Sequence, residues 1–135
     1  MPTTSAMTVS LYAALLALMF FALSIRTILA RGKFKVAVGD GDHPGMLRAM
    51  RVHANFAEYV PLCLLLIFLV EIQGGAQVLI HGLGLALLLG RLLHAYGVSQ
   101  LKEKLVFRQV GMVITFSVMW VAAVKLLLDS SAGLV

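Results

Sequence analysis

VSLYAALLALMFFALSIRTIL, residues 9–29, is the stretch that decides the fold. It is about as long as the roughly 20 apolar residues that a helix needs to cross a bilayer, and Arg26 is its only charged residue. A cleaved signal peptide would need a basic region before a shorter apolar core and a small-residue cleavage site after it. No Lys or Arg precedes Arg26, so we predict that residues 9–29 form a first transmembrane span.

The composition of the whole chain agrees with a membrane protein. Of its 135 residues, 61% are hydrophobic and 13% are charged, and the mean hydropathy is +0.98. Soluble domains carry about 25% charged residues, so this chain has too little polar surface to cover a globule in water. The single cysteine, Cys63, excludes a disulfide within the chain and a cysteine-based metal site, and no metal is predicted.

Three further apolar segments complete the predicted architecture. The segment Arg31–Gly45 is rich in glycine and basic residues, and it is predicted to be a loop. Four spans of roughly 20 residues use most of the chain, so we predict a single all-α domain over residues 1–135, an integral membrane four-helix bundle. The spans are predicted at about residues 9–29, 46–73, 76–95 and 107–128.

The basic residues predict the orientation of this bundle. Ten of the eleven lie beside the connections between spans one and two and between spans three and four, whereas Lys125 lies near the end of span four. The positive-inside rule assigns these two connections to the cytoplasm, so both termini are predicted outside. The distribution also explains the net charge of +5 without nucleic acid. The ten are Arg26, Arg31, Lys33, Lys35, Arg48, Arg51, Arg91, Lys102, Lys104 and Arg108.

Polar residues inside the second span form one stripe. At roughly 100° per residue they fall within an arc of about 100°, while His53 and Glu71 point almost the opposite way. An ionised Glu58 cannot face lipid, because charged groups there cost several kcal/mol. We therefore predict that Glu58 meets a partner, most simply Arg51 two turns back or an arginine of another helix. The stripe consists of Arg48, Arg51, Asn55, Glu58 and Tyr59.

Two further polar clusters lie at the same predicted membrane face. Arg91 and His94 share a face of the third span at i, i+3, and the segment Lys102–Lys104 lies with Arg108 at the start of the fourth. Arginines gathered there would make a pocket for an anionic, hydrogen-bonding ligand. Two simpler interpretations remain open: basic residues at helix ends often anchor a helix at the interface, and a polar stripe can be a clamp between helices.

At these residues the chain resembles the MAPEG family, the membrane-associated proteins in eicosanoid and glutathione metabolism. The segment RAMRVHANFAEYVP, residues 48–61, is similar to the signature of the family's second helix. Arg51, Asn55, Glu58, Tyr59 and Pro61 match that signature in spacing. The segment RLLHAYG, residues 91–97, is similar to the weaker third-helix signature, and the resemblance covers about residues 10–128.

The resemblance implies a homotrimer of left-handed four-helix bundles in a bacterial inner membrane, with a glutathione site between neighbouring subunits. Positions matching Arg51, Asn55, Glu58 and Tyr59 contact glutathione in the family, and the position of His94 lies beside the ligand. A basic residue at the start of span four stabilises the thiolate. Spacing offers Lys104 for this role and residue type offers Arg108.

The resemblance therefore implies a glutathione S-transferase or peroxidase that uses glutathione as co-substrate and needs no metal. Its thiolate would attack an apolar electrophile or reduce a lipid hydroperoxide that arrives through the bilayer. Arg48 and Arg91 are further candidate glutathione contacts. A tyrosine of the family is absent, since Val98 and Ser99 stand there, and this keeps open a non-catalytic lipid-binding or scaffold protein. A small multidrug transporter is disfavoured, because residues 9–29 contain no acid.

Overall fold

The computed structural model describes residues 7–133 and contains four long α-helices in that range. Each is long and apolar enough to cross a membrane. The prediction of an all-α integral membrane bundle is confirmed. The helices are α1 (Thr8–Phe34), α2 (Pro44–Ile72), α3 (Gln77–Ser99) and α4 (Leu105–Ala132).

The first helix is longer than the predicted span, and the predicted loop is correspondingly shorter. α1 continues through Arg31 to Phe34, so the prediction that the loop starts at Arg31 was wrong. Basic residues are good helix formers and interact favourably with the negative end of the helix dipole. α1 ends where Lys35 adopts a left-handed conformation with φ of 54°, and its amide donates to the carbonyl of Arg31. Its 27 residues span about 40 Å, so its basic last turns extend beyond a hydrocarbon core of about 30 Å.

α2 and α3 form the centre of the bundle. Both α1 and α4 pack against this pair, while α1 and α4 do not contact each other within the described residues. The core is filled by apolar side chains that are almost fully buried, including Leu16, Val52, Ile67 and Leu87. Large apolar side chains such as Phe21, Leu65 and Trp120 point outward, as expected for helices that face lipid.

Small residues allow α3 and α4 to approach closely at two neighbouring levels of the bundle. A Cβ atom built on Gly111 would lie 2.6 Å from the carbonyl oxygen of Gly90 and 2.7 Å from the backbone nitrogen of His94. One on Gly97 would lie 2.8 Å from the backbone nitrogen of Arg108. Glycine at these positions is therefore required by the close approach of the two backbones, which is common where membrane helices pack. The approach brings His94 and the first turn of α4 together.

The two ends of the bundle differ in charge. We call the end formed by the last turns of α1 and α3 and the first turns of α2 and α4 the basic end. The other, which holds the described ends of the chain, is the termini end. There the carboxylate of Glu71 accepts hydrogen bonds from the backbone amides of Thr8 (2.6 Å) and Val9 (2.9 Å). Glu71 thus caps α1 from another helix and satisfies amides that would otherwise lack partners.

Candidate functional site

A cavity of about 250 Å³ opens at the basic end between α2, α3 and the start of α4. Five of the predicted site residues line it, together with apolar side chains and one acid. Its lining residues are Pro44, Leu47, Arg48, Arg51, Asn55, His94, Val98, Glu103 and Arg108.

The predicted stripe of α2 contributes its first three members to this cavity. Arg48, Arg51 and Asn55 follow one another at helical spacing and line the same wall. His53 points to the other side of α2, where its Nε2 lies 3.0 Å from the hydroxyl of Ser24 and its ring stacks on Phe20. The separation of His53 from the stripe is confirmed, and its contacts with α1 are those of a packing residue.

Arg91 lies directly behind the cavity and is 1% exposed. One of its terminal nitrogens donates to Oδ1 of Asn55 at 2.6 Å and to Nδ1 of His94 at 3.1 Å. Its guanidinium carbon lies 5.9 Å from the centre of the Phe56 ring, and a second terminal nitrogen lies 3.7 Å from the sulfur of Met112. Within residues 7–133 no carboxylate pairs with Arg91, and its Nε has no hydrogen-bond partner.

These bonds determine which atoms Asn55 and His94 can offer to a ligand. A guanidinium can only donate, so Oδ1 of Asn55 and Nδ1 of His94 both act as acceptors towards Arg91. The amide nitrogen of Asn55 then remains as a donor, and a neutral His94 must carry its proton on Nε2. Arg91 therefore orients the side chains of Asn55 and His94 so that the groups they can offer to a ligand are hydrogen-bond donors.

The start of α4 brings a third arginine to the cavity. Arg108 lines it with a side chain that is 52% exposed, while Lys104 is the residue that precedes α4 and does not line the cavity. Lys104 has an extended backbone at the N-cap of α4, and its side chain is exposed. Of the two cations that the sequence offered, the structure brings Arg108 to the other site residues.

Glu103 is the only acid among the lining residues of the described chain, and its role was not predicted. Its Oε2 accepts from Arg48 at 3.0 Å, and its Oε1 lies 3.7 Å from a terminal nitrogen of Arg108. Arg48 also donates to the carbonyl of Val98 at 2.9 Å, which fixes it across the gap between α2 and α3. The signal in the sequence was a lone acid between two lysines, beside a helix start.

Glu58 and Tyr59 lie outside the cavity on the outer surface of α2. Glu58 is exposed and forms no ion pair within the described part of the chain, so neither Arg51 nor an arginine of another helix is the partner that was predicted for it there. Glu58 and Arg51 are separated by seven positions, about 10.5 Å along the helix axis, whereas side chains of one helix are neighbours at three or four positions. Tyr59 is half-buried against Phe116 of α4, with ring centres 5.3 Å apart.

The arrangement is suited to anions. In residues 7–133 no three His, Cys, Asp or Glu side chains are grouped closely enough to hold a metal. The cavity instead presents guanidinium groups, an amide nitrogen and an imidazole N–H, all of which donate hydrogen bonds. Carboxylates and thiolates are the ligand groups that such a lining would stabilise.

Comparisons with known proteins identify the relatives of this chain. The model of the MAPEG family matches residues 9–128. The inner membrane protein YecN of Escherichia coli K12 is 38% identical over 88 residues, which cover 65% of this chain and 67% of YecN. YecN of an O6:H1 strain of Escherichia coli matches to the same extent.

Proposed function

The chain belongs to the MAPEG family, and we propose that it is a membrane-bound glutathione-dependent transferase or peroxidase. Glutathione would bind in the cavity at the basic end, and its thiolate would react with an apolar electrophile or a lipid hydroperoxide. The membrane would concentrate such second substrates beside the site.

The observation that carries this proposal is the lining of the cavity by hydrogen-bond donors. Three arginines face it, and Arg91 holds Asn55 and His94 so that they also present donors. Glutathione carries two carboxylates, two peptide carbonyls and a thiol that can ionise. Each of these groups accepts hydrogen bonds, and an arginine can hold a carboxylate through two parallel bonds. The lining is therefore complementary to the two carboxylates and to the net negative charge of glutathione.

Arg108 is the residue that we assign to the thiol. A free thiol has a pKa of about 8.5, so most of it is protonated near neutral pH. Lowering the pKa by two units requires about 2.7 kcal/mol of differential stabilisation of the thiolate. A guanidinium close to the sulfur and shielded by substrate could supply this amount. Lys104, at the outer edge of α4, would then add only to the general positive potential.

The chemistry follows from a stabilised thiolate. In conjugation the sulfur forms a bond to an electrophilic carbon, and either a leaving group departs with the electron pair or the adduct takes up the thiol proton. In peroxide reduction two glutathione molecules give one disulfide, while the hydroperoxide is reduced to an alcohol and water. Neither reaction requires a residue of the protein to change oxidation state.

We propose that the functional unit is a homotrimer whose subunits complete each other's sites. Glu58 is exposed on a helix that crosses the membrane, where an ionised carboxylate facing lipid would cost several kcal/mol. A neighbouring subunit packed over this face would cover Glu58 and could supply its cationic partner. The cavity of one chain, about 250 Å³, is also slightly smaller than the roughly 300 Å³ at which ligand pockets usually begin. Glu58 and Tyr59 could then contact glutathione held by the adjacent chain.

The location proposed is a bacterial inner membrane with the basic end in the cytoplasm. Ten of the eleven basic residues lie at that end, which favours this orientation under the positive-inside rule. The relative YecN is named as an inner membrane protein of Escherichia coli. In this orientation the cavity faces the compartment in which a bacterium would hold glutathione.

Isothermal titration of the detergent-purified protein with glutathione tests the proposal. We expect saturable binding by the wild type and a loss of at least roughly tenfold in affinity for Arg51→Ala, which removes one cation from the cavity. Lys102→Ala removes a cation from the same end outside the cavity lining and should change affinity by less than twofold. No saturable binding by the wild type would refute the assignment.

A second candidate is a non-catalytic protein that binds lipid. An almost wholly apolar groove of about 330 Å³ lies between α1 and α2 at the termini end, and Val98 lines the cavity where the family has a tyrosine nearby. This alternative predicts lipid that co-purifies with the chain and no turnover with any electrophile. The groove is lined by Met7, Val9, Ser10, Ala13, Leu64, Leu65 and Phe68.

A further inference from the structure

Glu103 occupies the position in the cavity where an anionic group of a ligand would be expected. It belongs to the short connection between α3 and α4, and its side chain is only 12% exposed. Its carboxylate lies between two arginines that belong to different helices, Arg48 on α2 and Arg108 on α4. A carboxylate placed between two guanidinium groups is the same arrangement that a bound ligand carboxylate would adopt.

The two contacts of Glu103 differ in strength. The contact with Arg48 is a hydrogen bond of 3.0 Å, whereas Arg108 remains at 3.7 Å. Oε1, the oxygen that faces Arg108, is buried and has no hydrogen-bond partner among the described residues. An unsatisfied buried acceptor is unfavourable, and a guanidinium at 3.7 Å has not formed the bond that would satisfy it. Arg108 is thus attracted to Glu103 by charge but forms no hydrogen bond with it.

We propose that Glu103 is an internal counterion that competes with bound glutathione for Arg108 and so limits both the affinity for the thiol and its ionisation. Glu103 keeps its hydrogen bond to Arg48 with and without bound glutathione. Its contact with Arg108 is lost when the negatively charged sulfur of glutathione binds next to Arg108. This inference rests on the proposed function, because it concerns the same cavity. Glu103 is a positioning residue in this account, since it acts through Arg108 and does not itself touch the reacting sulfur.

The charged and titratable groups around Glu103 come from three helices. Arg48 and Arg51 line the cavity from α2, His94 from α3 and Arg108 from α4. Replacing Glu103 by glutamine removes the charge but retains a carbonyl oxygen that can accept from Arg48. The variant Glu103→Gln should therefore leave the connection in place while it frees Arg108 for the ligand.

The test measures glutathione affinity by titration and the pKa of the bound thiol by the pH dependence of thiolate absorbance. For Glu103→Gln we expect an affinity roughly three to ten times higher than that of the wild type and a thiol pKa lower by about half a unit to one unit. Glu103→Asp keeps the competing charge, so its glutathione affinity should not exceed that of the wild type and should lie below that of Glu103→Gln. Asp129→Asn removes one acid at the termini end and should change neither quantity.

Thermal unfolding separates this role from a structural one. Glu103→Gln should unfold at a slightly lower temperature although it binds glutathione more tightly. General damage to the fold would lower both the unfolding temperature and the affinity for glutathione. Equal or weaker glutathione binding by Glu103→Gln, with the wild type binding normally, would overturn the role of Glu103 and leave the proposed function intact. Absence of binding by the wild type and by Glu103→Gln would overturn the proposed function and this inference with it.

Discussion

The two ends of the bundle use polar residues in opposite ways. At the termini end, Glu71 accepts from two backbone amides of α1, and the hydroxyl of Tyr12 lies 3.0 Å from Nδ1 of His81. Lys125 and Asp129 form an ion pair one turn apart on α4. At the basic end three arginines face a cavity that contains a single acid among the described residues.

The difference distinguishes polar residues that hold the fold from polar residues that are available to a ligand. Partners at the termini end satisfy one another: the bonds of Glu71 and His81 hold α1, the Lys125–Asp129 pair lies within α4, and little capacity remains to bind anything else. At the basic end donors exceed acceptors, and the Nε atom of buried Arg91 lacks a partner within the described chain. Changes at the termini end should therefore affect stability alone, and changes at the basic end should affect binding.

The largest effect is expected for Arg91→Met, which removes the guanidinium that orients Asn55 and His94. Truncating one member of a buried polar network costs about 2–5 kcal/mol, because its partners are left without bonds. We expect glutathione affinity to fall by roughly thirtyfold or more. Titration checks this result, and Arg91→Lys should recover only part of the affinity, because an ammonium lacks the planar geometry of guanidinium. Normal binding by Arg91→Met would show that the two donors do not depend on Arg91.

Gly111→Ala should affect both stability and binding, because the contact it disturbs lies beside the site. The added Cβ would lie 2.6 Å from the carbonyl oxygen of Gly90, so α3 and α4 must separate. We expect a loss of about 1–3 kcal/mol of stability and weaker glutathione binding. A Cβ on Gly82 meets nothing within 4 Å, which makes Gly82→Ala the matched control. Equal unfolding temperatures for the two variants would contradict the close approach.

Glu71→Gln should lower stability and leave glutathione binding unchanged. It weakens two charge-assisted bonds to the first amides of α1, and the loss of a helix cap costs about 1–2 kcal/mol. Unfolding in a fixed detergent, followed by titration with glutathione, measures both quantities. Asp129→Asn at the same end breaks a partly exposed pair and should cost less than about 0.5 kcal/mol. A large effect of Glu71→Gln on binding would mean that the two ends are coupled.

The smallest effect is expected for Lys104→Ala, which changes a cation at the edge of the basic end. Lys104 is exposed and does not line the cavity, so we expect glutathione affinity to change by less than twofold. The thiol pKa of bound glutathione should also stay within experimental error. A rise in that pKa comparable to the effect of Arg108→Ala would show that Lys104 is the activating cation.

The bundle could be predicted from sequence because long apolar runs have few alternatives in a short chain. The boundary at Arg31 was missed, because nothing in the local sequence distinguishes a basic loop from a helix that continues into the headgroups. The wall formed by Arg48, Arg51 and Asn55 was predictable, since helical spacing alone places these residues on one face.

The remainder of the site depends on contacts between helices, and these cannot be predicted from the spacing of residues within one helix. The position of Arg108 at the cavity follows from the turn after α3 and from the glycines that let α4 approach. Glu103 was not predicted as a site residue, because the role of an acid in a basic segment depends on which arginines its side chain contacts. A cationic partner was predicted for Glu58 because of the cost of facing lipid, but no arginine of the described chain pairs with it.

Thiolate absorbance on addition of glutathione tests the central claim most directly. The wild type near neutral pH should show a saturable rise in thiolate absorbance, because the cations at the basic end favour the ionised sulfur. Arg108→Ala should still bind glutathione through Arg51 and Asn55 but lose most of that rise. Saturable binding without any thiolate signal in the wild type, or an undiminished signal in Arg108→Ala, would contradict the account.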